Sequence, residues 1–351
     1  MNRIALAGVV IFGFSMNFAG QTPSSVPQPD SAAFPKPSFV LHDPKLHPEK
    51  PHTVLGANGS FAVYAGTSDI QVSSLSFSGD GKLLAVGSTP GIVDVWDVDA
   101  KRKVCAFKGG TAVALSPDGH RLVKDGNGIE VIDVTSCKVT RTVPWPTDSD
   151  HTIENISFNP SGQQIIVATN GLNLEVFDVN TGSLLATLTN TRRGTFSPDG
   201  SLVVGGDYRH LMTWSTKDWQ VVRDLPNGPD YVTAVAADPM EDIEIIGGPK
   251  SARLLKITNG QELGIVGVGF TNYVAVDNQG ARILTYSSHG VTISDPDGRS
   301  LCSIPGNGYY AMALSPDNRW LAAAPTGQLT NVAVWDVSQL PAVCSFSNQH
   351  R

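Results

Sequence analysis

Residues 76–107 read "SFSGDGKLLAVGSTPGIVDVWDVDAKRKVCAF", and residues 115–143 answer with "LSPDGHRLVKDGNGIEVIDVTSCKVTRTV". In the second unit four strand-like runs, at 111–116, 121–124, 129–134 and 138–143, are separated by Pro-Asp-Gly, Asp-Gly-Asn-Gly and Thr-Ser turns. Short β-branched runs between such breakers favour strands over long helices. Four of them make one small sheet. Alone in water, a sheet of that size cannot bury both faces, so it needs neighbours.

The unit recurs. The turn at Gly79-Asp80-Gly81 returns at Pro117-Asp118-Gly119, Pro160-Ser161-Gly162 and Pro198-Asp199-Gly200. Degenerate copies follow at Pro239-Met240-Glu241, Asn278-Gln279-Gly280 and Pro316-Asp317-Asn318. Their last residues lie 38, 43, 38, 41, 39 and 38 positions apart. A second marker keeps the same beat: "VWDV" from Val95, "VIDV" from Val131, "VFDV" from Val176, "TWST" from Thr213, "LKIT" from Leu255, "ISDP" from Ile293 and "VWDV" from Val334. Two independent markers in step predict an all-β chain, a seven-bladed β-propeller of four-stranded antiparallel blades. Radial stacking then covers every sheet face.

These residues resemble WD-repeat β-propeller blades, closest to the divergent bacterial type, over about residues 61–346. The Trp-Asp pair stands intact at Trp96-Asp97 and Trp335-Asp336, and Trp214 holds the same place in the fourth unit. The resemblance implies structural roles for these residues, with the tryptophans packing between blades. The Gly-His pair common in the family before the innermost strand is missing, since Gly119-His120 falls in a different turn. In the family, an outer strand preceding the first complete blade clasps the last one. "SFAVYAG" at 60–66 resembles that strand and is expected to take part in closure. Residues 342–346 also read as an outer strand, so one of the two is surplus or the last blade has five strands.

Ahead of the repeats, residues 1–20 carry Arg3, an apolar run at 4–14 and small residues at Ala19 and Gly20. That is the layout of a secretory signal peptide, and the run is short for a membrane span. Residues 21–51 are rich in Pro and read as an extended linker. The expected division is therefore signal peptide 1–20, linker 21–51 and propeller 52–351, exported to a periplasmic or extracellular location with no transmembrane span in the mature chain. Four cysteines fit an oxidising compartment. Neighbouring units suggest Cys105 with Cys137 and Cys302 with Cys344; free buried thiols are the alternative.

The resemblance implies that loops from each outer strand to the next inner strand share one face of the disc with the second-to-third-strand turns. That face gathers Trp145, His151, Arg192, Arg193, Tyr208, His210, Tyr231, Tyr273, Tyr309 and Tyr310, with Arg209 and Phe270 beside them. Aromatic and Arg side chains are favoured interface anchors, and loops on a rigid scaffold carry function. The plainer alternative is that several of them pack between blades. No Gly-x-Ser-x-Gly elbow, phosphate loop or His-Glu-x-x-His helix is present. The histidines of "HDPKLHPEKPH" (42–52) lie among prolines that fix no geometry, so no metal and no cofactor are assigned. A net charge of −7 without a basic block argues against a nucleic-acid partner. The expected function is a non-enzymatic scaffold for a protein, peptide or glycan partner. A hydrolase or oxidoreductase working at the central channel and a component of an envelope assembly complex are the alternatives.

Overall fold

The computed structural model describes residues 37–41, 53–56, 59–62 and, with short interruptions, 71–338. The expected leader at 1–20 and the strand at 342–346 lie outside the described residues. The described ones all belong to one compact unit, Phe34–Arg351, and contain strands but no helix.

Seven four-stranded antiparallel sheets follow one another along the chain. In blade 1 the strands run from the inside outwards as Gln71–Phe77, Leu83–Thr89, Ile92–Asp97 and Arg102–Lys108. The inner strands of blades 2 to 7 are Val113–Leu115, Ile153–Phe158, Arg193–Phe196, Ala234–Ala237, Thr271–Val276 and Tyr309–Leu314. Each inner strand meets the blade before and the blade after it, and that of blade 7 meets that of blade 1, which closes a ring.

The recurring turn has a clear chemical basis. Ser78 Oγ donates to Asp80 at 2.7 Å and accepts from the Leu83 amide, while Asp80 accepts from the Lys82 amide. Ser116 with Asp118, Ser197 with Asp199 and Ser315 with Asp317 repeat the arrangement. All four serines are buried, so each hydroxyl must be satisfied from within the turn. The residue after the aspartate needs positive φ, met by Gly119 at 72° and, in blade 7, by Asn318 at 64°.

Hydrophobic clusters sit between blades, one at each of the seven seams. Trp96, Trp214 and Trp335 are all buried in them, at the blade 1–7, 3–4 and 6–7 seams respectively. Asp97 and Asp336 accept amides from Ala100 and Ser338 and so shape the next turn.

Ring closure departs from expectation. Gly59–Ala62 pairs with Thr53–Gly56 in a separate hairpin. The edge of blade 7 is taken instead by Phe39–Leu41, antiparallel to Val332–Asp336, from within the stretch read as a linker. Side-chain alternation explains the choice. Leu41 is buried in the blade 1–7 cluster, Val40 faces solvent, and Phe39 meets Trp320 edge-on at 5.5 Å. The Ser38 hydroxyl also accepts from the Asp336 amide. The flanking prolines suit a short edge strand.

Candidate functional site

An inner strand has one edge paired to its own blade and the other turned to the ring's axis. Its outward polar groups need partners, and the inner strand of blade 1, "QVSSLSF", supplies them as hydroxyls. Ser73 donates to the Thr111 carbonyl at 2.8 Å, while Ser74 and Ser76 accept from the amides of Val113 and Leu115. Across another seam Thr233 donates to the Thr271 carbonyl. Inside this lining lies a cavity of about 610 Å³. Its wall is hydroxyls, amides and small apolar groups from blades 1 and 3 to 7, and the charged lining residues are Glu154 and Arg193.

Those two belong to a three-residue cluster at the blade 3–4 seam. Arg192 grips Glu154 with Nη2 on Oε1 at 2.5 Å and Nε on Oε2 at 3.2 Å; Arg193 adds Nη1 on Oε2 at 2.8 Å. Burial pulls the Glu154 carboxyl upward, but the two guanidiniums together outweigh it and hold the group below the usual carboxylate range. Glu154 is thus a committed anion, held by two cations among the described residues. Tyr273, which also lines the cavity, receives the Leu314 amide on its hydroxyl at 3.2 Å. Burial pushes its phenol up to about 12, against that hydrogen bond.

The expected binding residues therefore separate. Arg193 and Tyr273 line the cavity, and Arg192 completes the cluster at its edge. His210 is paired with Asp224 at 3.0 Å, and Tyr231 sits part-buried in a turn with φ of 52°. Phe270 is exposed. Trp145 packs on the blade 2–3 cluster and tilts against Phe177, so it serves the seam. His151 and Tyr208 lie outside the described residues. So do the side chains of Tyr309 and Tyr310, whose backbone opens the inner strand of blade 7.

Among the described residues no group of His, Cys, Asp and Glu is arranged to hold a metal ion. No described helix is long and apolar enough to cross a membrane. Lys124, a buried cation not singled out from the sequence, is spent on Glu130 at 2.8 Å and on the carbonyls of Lys108 and Asp125. Cys105 and Cys137 form a disulfide that ties the outer strand of blade 1 to blade 2, with Cα atoms 5.7 Å apart. Cys302 is also disulfide-bonded; its expected partner, Cys344, lies outside the described residues.

A family model described as WD domain, G-beta repeat matches residues 59–97. The chain is a WD-repeat-like β-propeller. The matched segment runs from the second strand of the hairpin through the inner three strands of blade 1. Two curated relatives share parts of this propeller. Pre-mRNA-processing factor 19 of Oryza sativa subsp. japonica is 31% identical over 129 residues, 35% of this chain and 24% of its own length. U3 small nucleolar RNA-associated protein 15 homolog of Xenopus laevis is 25% identical over 226 residues, 49% of this chain and 43% of its own. The propeller thus spans less than half the length of these relatives.

Proposed function

We propose that this propeller is an exported, non-enzymatic binding scaffold whose partner, a protein, peptide or glycan, docks on the face carrying Arg192, Arg193 and Tyr231 and reaches into the channel. The observation that carries this reading is the channel lining. Among the described residues its single carboxylate is locked between two guanidiniums, and the rest is hydroxyl, amide and apolar, which suits recognition better than acid–base work. The Cys105–Cys137 disulfide favours an oxidising compartment and so supports export. The relatives' names speak of pre-mRNA processing and of a small nucleolar RNA. With a net charge of −7 here, any role in comparable assemblies runs through protein contacts rather than RNA phosphates.

The test is capture from the cell envelope of the producing organism, comparing the wild type with Arg193→Ala, Tyr231→Ala and Tyr310→Ala. The expected outcome is loss of the captured partner with unchanged melting temperature. Undiminished capture by all three variants, or recovery of the full-length chain only in the cytoplasm, overturns the reading.

A further inference from the structure

We infer that the channel mouth at the blade 3–4 seam anchors a carboxylate of an acidic peptide through Arg193. This rests on the binding reading above and gives the partner a chemistry. Glu154 has both oxygens occupied by Arg192, whose fork is spent on it, while Arg193 contributes a single donor to the same carboxylate. A guanidinium has five N–H donors. The other donors of Arg193 have no protein acceptor among the described residues, and its side chain is one-third exposed where it lines the cavity.

The charge balance points the same way. Arg192 is paired with Glu154, and among the described residues no other charged group lines the cavity, so Arg193 is the cation left facing it. A planar, permanently charged fork facing a partly enclosed space selects a carboxylate over a neutral polar group. The rest of the lining suits a peptide. Ser157, Asn155, Thr195 and Asn272 place short donors and acceptors along the inner strands, matching the alternating N–H and C=O groups of an extended backbone. A sugar ring or a nucleobase would want an open aromatic face. Among the described residues the cavity's aromatic side chains do not provide one: Phe77 and Tyr286 are buried, and the Tyr273 hydroxyl is hydrogen-bonded to blade 7.

The experiment uses the full chain from its own host, immobilised, with three pools of random heptapeptides. One has free C-termini and no acidic residue, one is C-amidated with a central Asp or Glu, and one is C-amidated without acid. Bound peptide is quantified by mass spectrometry. One or both carboxylate pools should be retained about tenfold over the acid-free pool, the scale of a single charge-assisted contact. Which pool is retained tells a C-terminal from a side-chain carboxylate. Arg193→Gln should abolish the excess, and Glu154→Gln, which removes the carboxylate that competes for Arg193, should increase it. The second variant keeps the test decisive should the first fail to fold. Equal retention of all pools, or indifference to both variants, overturns the carboxylate anchor while leaving the binding face standing. An oligogalacturonate is offered beside the pools, and its retention in place of every peptide overturns the peptide assignment. Retention of nothing sinks both.

Discussion

Glu244 should make the stability of the ring depend on pH in an unusual direction. It is completely buried in Ile243–Gly247, the second strand of blade 5, with Oε1 2.5 Å from Nη2 of Arg223 on the outer strand of blade 4. Arg223 also donates to the Lys256 carbonyl at 2.7 Å, but its Nε and the Oε2 of Glu244 are buried without a hydrogen-bond partner. Burial therefore outweighs the attraction of Arg223, Asp242 adds repulsion, and the carboxyl is pushed up from 4.5 to about 7. A raised acid binds its proton more tightly when folded than when unfolded. Stability consequently falls as pH rises from about 4.5, and the full cost is in place above about 7. The displacement corresponds to about 3 kcal/mol, at about 1.4 kcal/mol per tenfold. Glu244→Gln keeps an acceptor for Arg223 and carries no proton to lose. Urea unfolding of both chains between pH 5 and pH 8.5 should show the wild type losing about 2.5 kcal/mol relative to the variant, since part of the loss already lies below pH 5 and every other titration cancels in the difference. Parallel stability curves across that range would refute the assignment.

Two further perturbations address the ring. Cys105→Ser removes a cross-link spanning 32 residues, worth about 3–4 kcal/mol on loop-entropy grounds. Its melting temperature should fall below that of the oxidised wild type, and adding reductant should leave the variant unaffected at this seam. Leu41→Asp places a charge in the blade 1–7 cluster and should cost about 3 kcal/mol or more. Calorimetry and susceptibility to proteolysis near the chain's beginning would report it, whereas a silent Leu41→Asp would mean that Phe39–Leu41 does not hold blade 7.

The parts of the fold legible in the sequence are those where local chemistry leaves little choice. The Ser-x-Asp turn needs a buried hydroxyl, a carboxylate two residues on and a residue tolerant of positive φ, so it recurs recognisably even where Asn318 replaces glycine. The Trp96 and Trp335 positions are legible for a similar reason, as large side chains fill the space where neighbouring blades meet. The closing strand offers no such signature. "FVL" is three residues long, lies between prolines and is identified only by what it covers at the far end of the chain, a pairing between residues 39 and 334. The stretch at 60–66 has the better strand pattern and occupies the usual place before the first blade, but a hairpin partner at Thr53–Gly56 takes it.

The site was legible on one side only. Arg192 and Arg193 stand out as a basic pair in a loop, whereas Glu154, a single carboxylate in a strand-like run, gives no hint in the sequence of being their partner. The missing signal was the repeat itself. Contacts across a seam join equivalent positions of consecutive blades, so they fall about one period apart: Ser73 with Thr111 and Glu154 with Arg192 at 38 residues, Glu154 with Arg193 at 39, and Tyr273 with Leu314 at 41. In a closed ring of repeats, polar residues one period apart near the start of inner strands are spatial neighbours by construction. Arg193, which lines the cavity and gives a single donor to Glu154, stands at such a position.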